Sequence, residues 1–136
     1  MILYVEQHED SRDMLALLLE LDGHKVTTAE TPTEALNIMR KQLFDLYILE
    51  NRFPDISGVE LCQQIRALYP KTPIIFYSSA VYRKDIEAGL AAGAQRYLTK
   101  PKDIDIIKEV VAALLLKNIE QVIFNGVSSN YSNIPA

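Results

Sequence analysis

Strand-like and helix-like segments alternate along most of the chain, and this alternation restricts the fold more than any other feature. Apolar runs at residues 2–5, 45–49 and 73–77 suit strands covered on both faces. Residues 25–29 are more polar and suit an edge strand, and residues 96–99 form a short fifth run. Helical segments fall between the strands. Asp10 or Ser11 can cap the first helix, with Met14, Leu15, Leu18 and Leu21 as its apolar positions and Gly23 as its end. Thr31-Pro32-Thr33-Glu34 and Ser57-Gly58-Val59-Glu60 are capping boxes. They open helices reaching about Lys41 and Tyr69. An Ala-rich helix spans about 83–92 and is closed by Gly93. Asp103 can cap a last helix to about Asn118, with Ile107, Val110, Val111, Leu114 and Leu115 inside. Five βα units in series predict a parallel sheet with helices on both faces and right-handed crossovers.

The chain of 136 residues, 49% apolar and 24% charged, is of one-domain size. A net charge of -4 without a basic stripe argues against nucleic-acid partners. The single cysteine, Cys62, cannot form an internal disulfide, which fits a reducing compartment. No basic n-region precedes the first apolar run, and no apolar stretch is long enough to cross a bilayer. The expected location is the cytoplasm, with no membrane partner. Residues 119–136 are polar, Ser/Asn-rich and without a clear period; they read as a loosely docked tail or linker after a domain at 1–118.

In an open α/β sheet, ligands bind outside the carboxyl ends of the strands. Glu6 and Gln7 fall there after the first strand, Glu50 after the third, Ser78 after the fourth and Lys100 after the fifth. The run Phe44-Asp45-Leu46-Tyr47-Ile48-Leu49 delivers Glu50 into a turn that ends at Ser57-Gly58. Individually such residues are commonplace. Together, at matching strand ends, they are a specific signal.

These residues, with the segments at 44–58, 73–78, 88–94 and Tyr97-Leu98-Thr99-Lys100-Pro101, resemble the receiver domain of bacterial two-component signalling over about residues 2–118. The resemblance implies a flavodoxin-like (βα)5 fold, strand order 2-1-3-4-5. It implies that Glu6-Gln7 stands at the acidic pair, Glu50 at the phosphoacceptor, and Ser78, Tyr97 and Lys100 at the switch positions. It also implies a cis peptide at Lys100-Pro101. Ser78, Tyr97 and Lys100 match the family's pattern, and Glu6 keeps an acid. Gln7 stands where the family has an acid that ligates Mg²⁺, and Glu50 stands where it has the aspartate nucleophile.

Both departures act against phosphoryl transfer. That chemistry rests on positioning and charge neutralisation, and Mg²⁺ is held best by anionic oxygens. Gln7 removes one negative charge. Glu50 is one methylene longer than aspartate, and a misplacement of about 1 Å can cost about 10²-fold in rate. Glutamate can instead mimic the phosphorylated state by reaching Lys100 or Ser78, or lock the inactive state through a salt bridge to Lys100.

Asp10 reads as a cap, and Asp55 as a loop acid beyond the pocket. Cys62 reads as a small core residue, and His8 and His24 as solvated loop residues. Tyr77, Tyr82 and Phe53 put aromatic bulk near the rim. The expected function is a stand-alone atypical receiver, not an enzyme and without catalytic residues. It acts as a protein-interaction module in phosphorelay-type signalling, and a fragment of a longer kinase or regulator is the other reading of this length. Its partner is a histidine kinase, output or scaffold protein, met through the face of helix four, strand five and helix five, which includes Ile86, Leu90 and Tyr97. Homodimerisation is left open. No cofactor or metal is expected, Mg²⁺ entering only if the domain is a conventional phosphoacceptor. A small-molecule sensor using the same rim is a further alternative and needs a sizeable pocket near Glu50.

Overall fold

Every residue of β1 (Ile2–Val5) is buried, because strands flank it on both sides and its alternate side chains enter cores on both faces of the sheet. It runs parallel to β2 (Val26–Ala29) and to β3 (Leu46–Leu49). Beyond β3 lie β4 (Ile74–Ser78) and β5 (Arg96–Thr99), giving the order β2-β1-β3-β4-β5 with all pairs parallel. This is the flavodoxin-like order expected. The computed structural model describes the backbone of residues 1–132 and the side-chain surroundings of residues 1–126.

Alternate residues of each buried strand feed opposite cores, as the two-residue period of a strand requires. On one face Leu3, Val5, Tyr47, Leu49, Ile74 and Phe76 pack on α2 (Pro32–Met39) and α3 (Gly58–Leu68) through Ala35, Met39, Leu61, Cys62 and Ile65. On the other, Ile2, Tyr4, Leu46, Ile48, Ile75, Tyr77 and Leu98 pack on α1 (Glu9–Leu21) and α5 (Ile104–Ser132) through Leu15, Leu19, Ile107, Val110 and Val111. β2 is the half-buried edge. The N-cap half of each capping box forms, Thr31 Oγ1 accepting from Glu34 N at 3.1 Å and Ser57 Oγ from Glu60 N at 3.1 Å, while Glu34 Oε2 accepts from Glu30 N at 3.0 Å in place of Thr31 N. α4 (Arg83–Ala91) has no side-chain cap and buries only Gly89.

Three expectations are corrected. α1 begins at Glu9, and its cap is His8, whose Nδ1 accepts from Ser11 N at 3.4 Å. His8 is thus a structural acceptor, and Asp10 and Ser11 lie inside the first turn. The inner face of α1 is Leu15 and Leu19, while Met14 and Leu21 are 54% and 73% exposed. The run Leu15-Ala16-Leu17-Leu18-Leu19 offers apolar residues on every side, so sequence alone marks no single stripe. Finally, α5 does not stop near Asn118 but continues to Ser132. Extending a helix already nucleated on the sheet adds one hydrogen bond per residue fixed, which is far easier than starting one. Val127 to Ala136, the last part of the expected tail, lie outside the residues whose side chains are described.

Candidate functional site at the carboxyl ends of the strands

β1, β3, β4 and β5 end on one rim and bring Glu6, Glu50, Ser78 and Lys100 together. Ladder hydrogen bonds continue past the strands and fix these ends: Glu50 N donates to Val5 O at 3.0 Å, and Lys100 N to Ser78 O at 2.9 Å. Glu6, Glu50 and Ser78 are only 2%, 5% and 0% exposed. Buried charges must be paired to be tolerated, and here one ammonium serves two carboxylates. Lys100 Nζ bridges Glu6 Oε1 and, at 2.7 Å, Glu50 Oε2.

The other oxygen of Glu50 accepts from the Ser78 hydroxyl, from Asn51 N at 2.6 Å and from Arg52 N at 3.3 Å. Ser78 Oγ in turn accepts from Ala80 N at 3.0 Å. Glu50 therefore links the lysine of β5 to the hydroxyl of β4. Burial pushes the Glu6 carboxyl above its usual range, with Lys100 opposing. Burial also disfavours the Lys100 ammonium, but hydrogen bonds and charge from Glu50 and Glu6 outweigh it and raise its pKa. Two acids against one base leave the lysine over-compensated and Glu6 under-compensated.

Tyr97 points inward. Its hydroxyl donates to Ala80 O and accepts from Asn51 Nδ2 at 3.3 Å, and its ring stacks on Phe76 at 5.1 Å. A chain of contacts thus runs from Lys100 through Glu50 and Ser78 to Ala80 and Tyr97. The cis peptide at Lys100-Pro101 is present.

The chain matches the response regulator receiver domain family over residues 2–112. It belongs to that family. It is 38% identical over 97 residues to the transcriptional regulatory protein CreB of Escherichia coli, covering 71% of this chain and 42% of that protein. It is 34% identical over 114 residues to the sensor histidine kinase AruS of Pseudomonas aeruginosa, covering 81% of this chain and 11% of that protein. The chain therefore spans less than half the length of these curated relatives. Among solved structures it resembles a CheY-like receiver from Methanospirillum hungatei, with TM-score 0.83 and 26% identity over 88% of this chain and 96% of that one. It also resembles the response regulator TrrA of Thermotoga maritima, solved with Mg²⁺ and BeF, with TM-score 0.75 and 33% identity over 83% and 96% of the two chains. Receiver domains are signalling modules that meet histidine kinases and output domains. Among the described residues no helix is long and apolar enough to cross a membrane.

Within this receiver the rim gathers Glu6, Glu50, Ser78 and Lys100, and Gln7 lines the cavity beside them with its side chain exposed to solvent. Gln7's carbonyl and that of Glu6 are held by Arg12 Nη1 at 3.1 and 3.0 Å. The donor set fits Mg²⁺ poorly. Both buried carboxylates already pair with Lys100, the neighbour is a neutral amide, and among the described residues no cluster of three acidic, His or Cys ligands exists. Asp55 is exposed outside the rim, and Cys62 is buried with its thiol pushed up to about 11 by burial.

Three contributors escaped the sequence reading. Asn51 ties the Glu50 turn to α3, its Oδ1 accepting from Val59 N at 3.2 Å, and to Tyr97. Gly58 lets the α3 N-terminus lie against this turn, since a Cβ there would collide with the Glu50 carbonyl and sit 2.7 Å from Asn51 Cα. Gly89 makes room for the Tyr97 ring, which a Cβ would meet at 2.8 Å. Asn51 reads as an ordinary turn residue, and the use of each glycine depends on a neighbour distant in sequence.

Proposed function

We propose that this receiver works as a protein-interaction module whose switch is held in its engaged arrangement by Glu50, without phosphoryl transfer. The supporting observation is that one carboxylate contacts Lys100 and Ser78 at once, from opposite oxygens. In a receiver these two side chains are expected to grip the oxygens of a phosphoryl group. Glu50's extra methylene carries its carboxylate into that space. The inward Tyr97 agrees with an engaged switch. The module is not an enzyme, and its site residues act by position and charge.

Its partner surface is the face of α4, β5 and α5. Leu90 of α4 and Ile106 of α5 are 44% and 43% exposed, Val81 and Tyr82 just before α4 are 45% and 68% exposed, and Tyr97 belongs to β5. A signalling partner of the histidine kinase, output or scaffold class fits this surface.

The test is NMR of the full chain with Mg²⁺ and a small phosphodonor, with mass spectrometry alongside. No phosphoryl adduct and no metal-dependent shift at Glu6, Glu50 or Lys100 are expected. A stoichiometric acylphosphate on Glu50 would overturn the proposal. Glu50→Gln should move resonances of Ser78, Ala80 and Tyr97 together. A change confined to residue 50 would also count against it. In Glu50→Asp with Gln7→Asp, phosphate acceptance should return.

A second reading, a small-molecule sensor, is favoured by a cavity of about 890 Å³ beside the rim. Met14, Leu15, Tyr77, Pro101 and Ile104 give it apolar walls. Glu6, Glu9, Glu30 and Glu50 outnumber Arg52 and Lys100 around it, so its ligand class would be an organic cation with an apolar body. A panel of aromatic and alkyl amines tested by thermal shift decides this reading. Uniform lack of stabilisation rejects it.

A further inference from the structure

The last turns of α5 reverse their polarity. Along the sheet-facing side Ile107, Val111 and Leu114 are followed, at the same helical spacing, by Asn118, Gln121 and Asn125. Beyond Asn118 every residue to Gly126 is exposed, so this part projects from the domain. The 14 residues 119–132 extend it by about 21 Å at 1.5 Å per residue.

On the opposite side, apolar residues continue where the core has ended. Leu116, Ile119 and Ile123 are 57%, 56% and 60% exposed. Their spacing of three and four residues is that of a coiled-coil seam, and exposed Ala112 extends it toward the domain. Leu115 and Val122 flank one edge of the seam and Glu120 the other. A helical projection this short is marginal in water by itself, and this one is rich in β-branched residues, which form helix less readily.

We infer that residues 112–126 pair in parallel with the same segment of a second copy of this chain. The heptad spacing calls for a helix of matching period, and the segment supplies one to itself under twofold symmetry. The flanking charge selects the direction. In a parallel pair Glu120 lies over the partner's Leu115, where its methylenes cover apolar surface. Antiparallel pairing centred on Ile119 would set Glu120 near its own copy, a like-charge contact. So short a seam buries on the order of 1,000 Å² in total, the lower end for specific association, and the dimer is expected to dissociate at about micromolar concentration. It needs neither phosphorylation nor the rim.

Sedimentation equilibrium of the full chain over a wide concentration range tests this. A monomer–dimer equilibrium is expected. Ile119→Asp should weaken it about a hundredfold or more, because two isoleucines then fail to bury. Ile119→Ala should give an intermediate loss, with circular dichroism showing the domain intact. Phe124→Ser, off the seam, should leave association unchanged. Gly126→Cys should form a symmetric disulfide between chains on oxidation, as matched seam positions in a parallel pair allow. A chain that stays monomeric at several hundred micromolar overturns the inference. So does a dimer insensitive to Ile119→Asp, which would place the contact elsewhere.

Discussion

Replacing Lys100 with methionine leaves an unbranched side chain one atom shorter and removes its charge. Glu6 and Glu50, at 2% and 5% exposure, would then face each other without a cation. Breaking a buried pair in this way costs about 3–5 kcal/mol, mostly from the charge left unpaired. At a urea m-value of about 2 kcal/mol/M, suited to a small domain, the midpoint should fall by about 2 M at pH 7. The pH dependence gives a second reading of the same cause. An acid whose pKa is raised by folding binds more protons in the native state than in the unfolded one. Its stability contribution is complete below the unfolded pKa and is lost as pH rises through the folded value. Glu6 already lies in that direction in the wild type, and loss of Lys100 should push it further. The deficit of Lys100→Met should therefore shrink from pH 7 toward pH 5. Lys102→Met, at an exposed position, is the control and should be near neutral. A Lys100→Met midpoint equal to wild type, or a deficit that grows on acidification, would refute the electrostatic account of the rim.

The wild-type lysine gives a complementary alkaline prediction. Its pKa is raised by Glu50 and Glu6 against burial, so its stabilising contribution is complete below its unfolded pKa of 10.5 and is lost as pH rises through the folded value; alkaline unfolding curves of wild type and Lys100→Met should converge there. Tyr4 is fully buried and its hydroxyl has no hydrogen-bond partner among the described residues. Tyr4→Phe should stabilise by about 1 kcal/mol in urea unfolding, since an unpaired buried hydroxyl costs about 1–3 kcal/mol, and a loss of stability would show that the hydroxyl has a partner. Gly58→Ala should destabilise by about 2 kcal/mol or more, because its methyl group meets main-chain atoms of Glu50 and Asn51 rather than a movable side chain; amide shifts should centre on the turn at 50–52. Gly89→Ala should instead displace the Tyr97 ring, read as loss of the ring contact with Phe76 in NOE spectra.

The sheet was legible because strands covered on both faces leave continuous apolar runs, and parallel connections permit few alternatives. Both N-caps, Thr31 and Ser57, were legible because they are local, each oxygen satisfying an amide three residues away. Glu6, Glu50, Ser78 and Lys100 were legible as strand-end residues, since alternation brings all strand ends to one edge. The first helix shows where this fails: a leucine-rich run fits several faces, and only docking on Ile2, Tyr4 and Leu46 selects Leu15 and Leu19. α5 fails for a related reason. Its polar last turns have no core to face, so their periodicity no longer points inward.

Residue order alone was enough for the succession of elements, the edge where strand-end polar groups collect, and a glutamate at the end of the third strand. What that glutamate contacts depended on the folded chain, because its partners come from β4 and from the residue after β5, 28 residues from Glu50 in the case of Ser78. A carboxylate offered both a lysine and a hydroxyl has two oxygens with which to take both. Whether they lie within reach is fixed by strand register, not by residue type. The same holds for Gln7: its identity was plain, but its exposed side chain and the grip of Arg12 on its carbonyl were not.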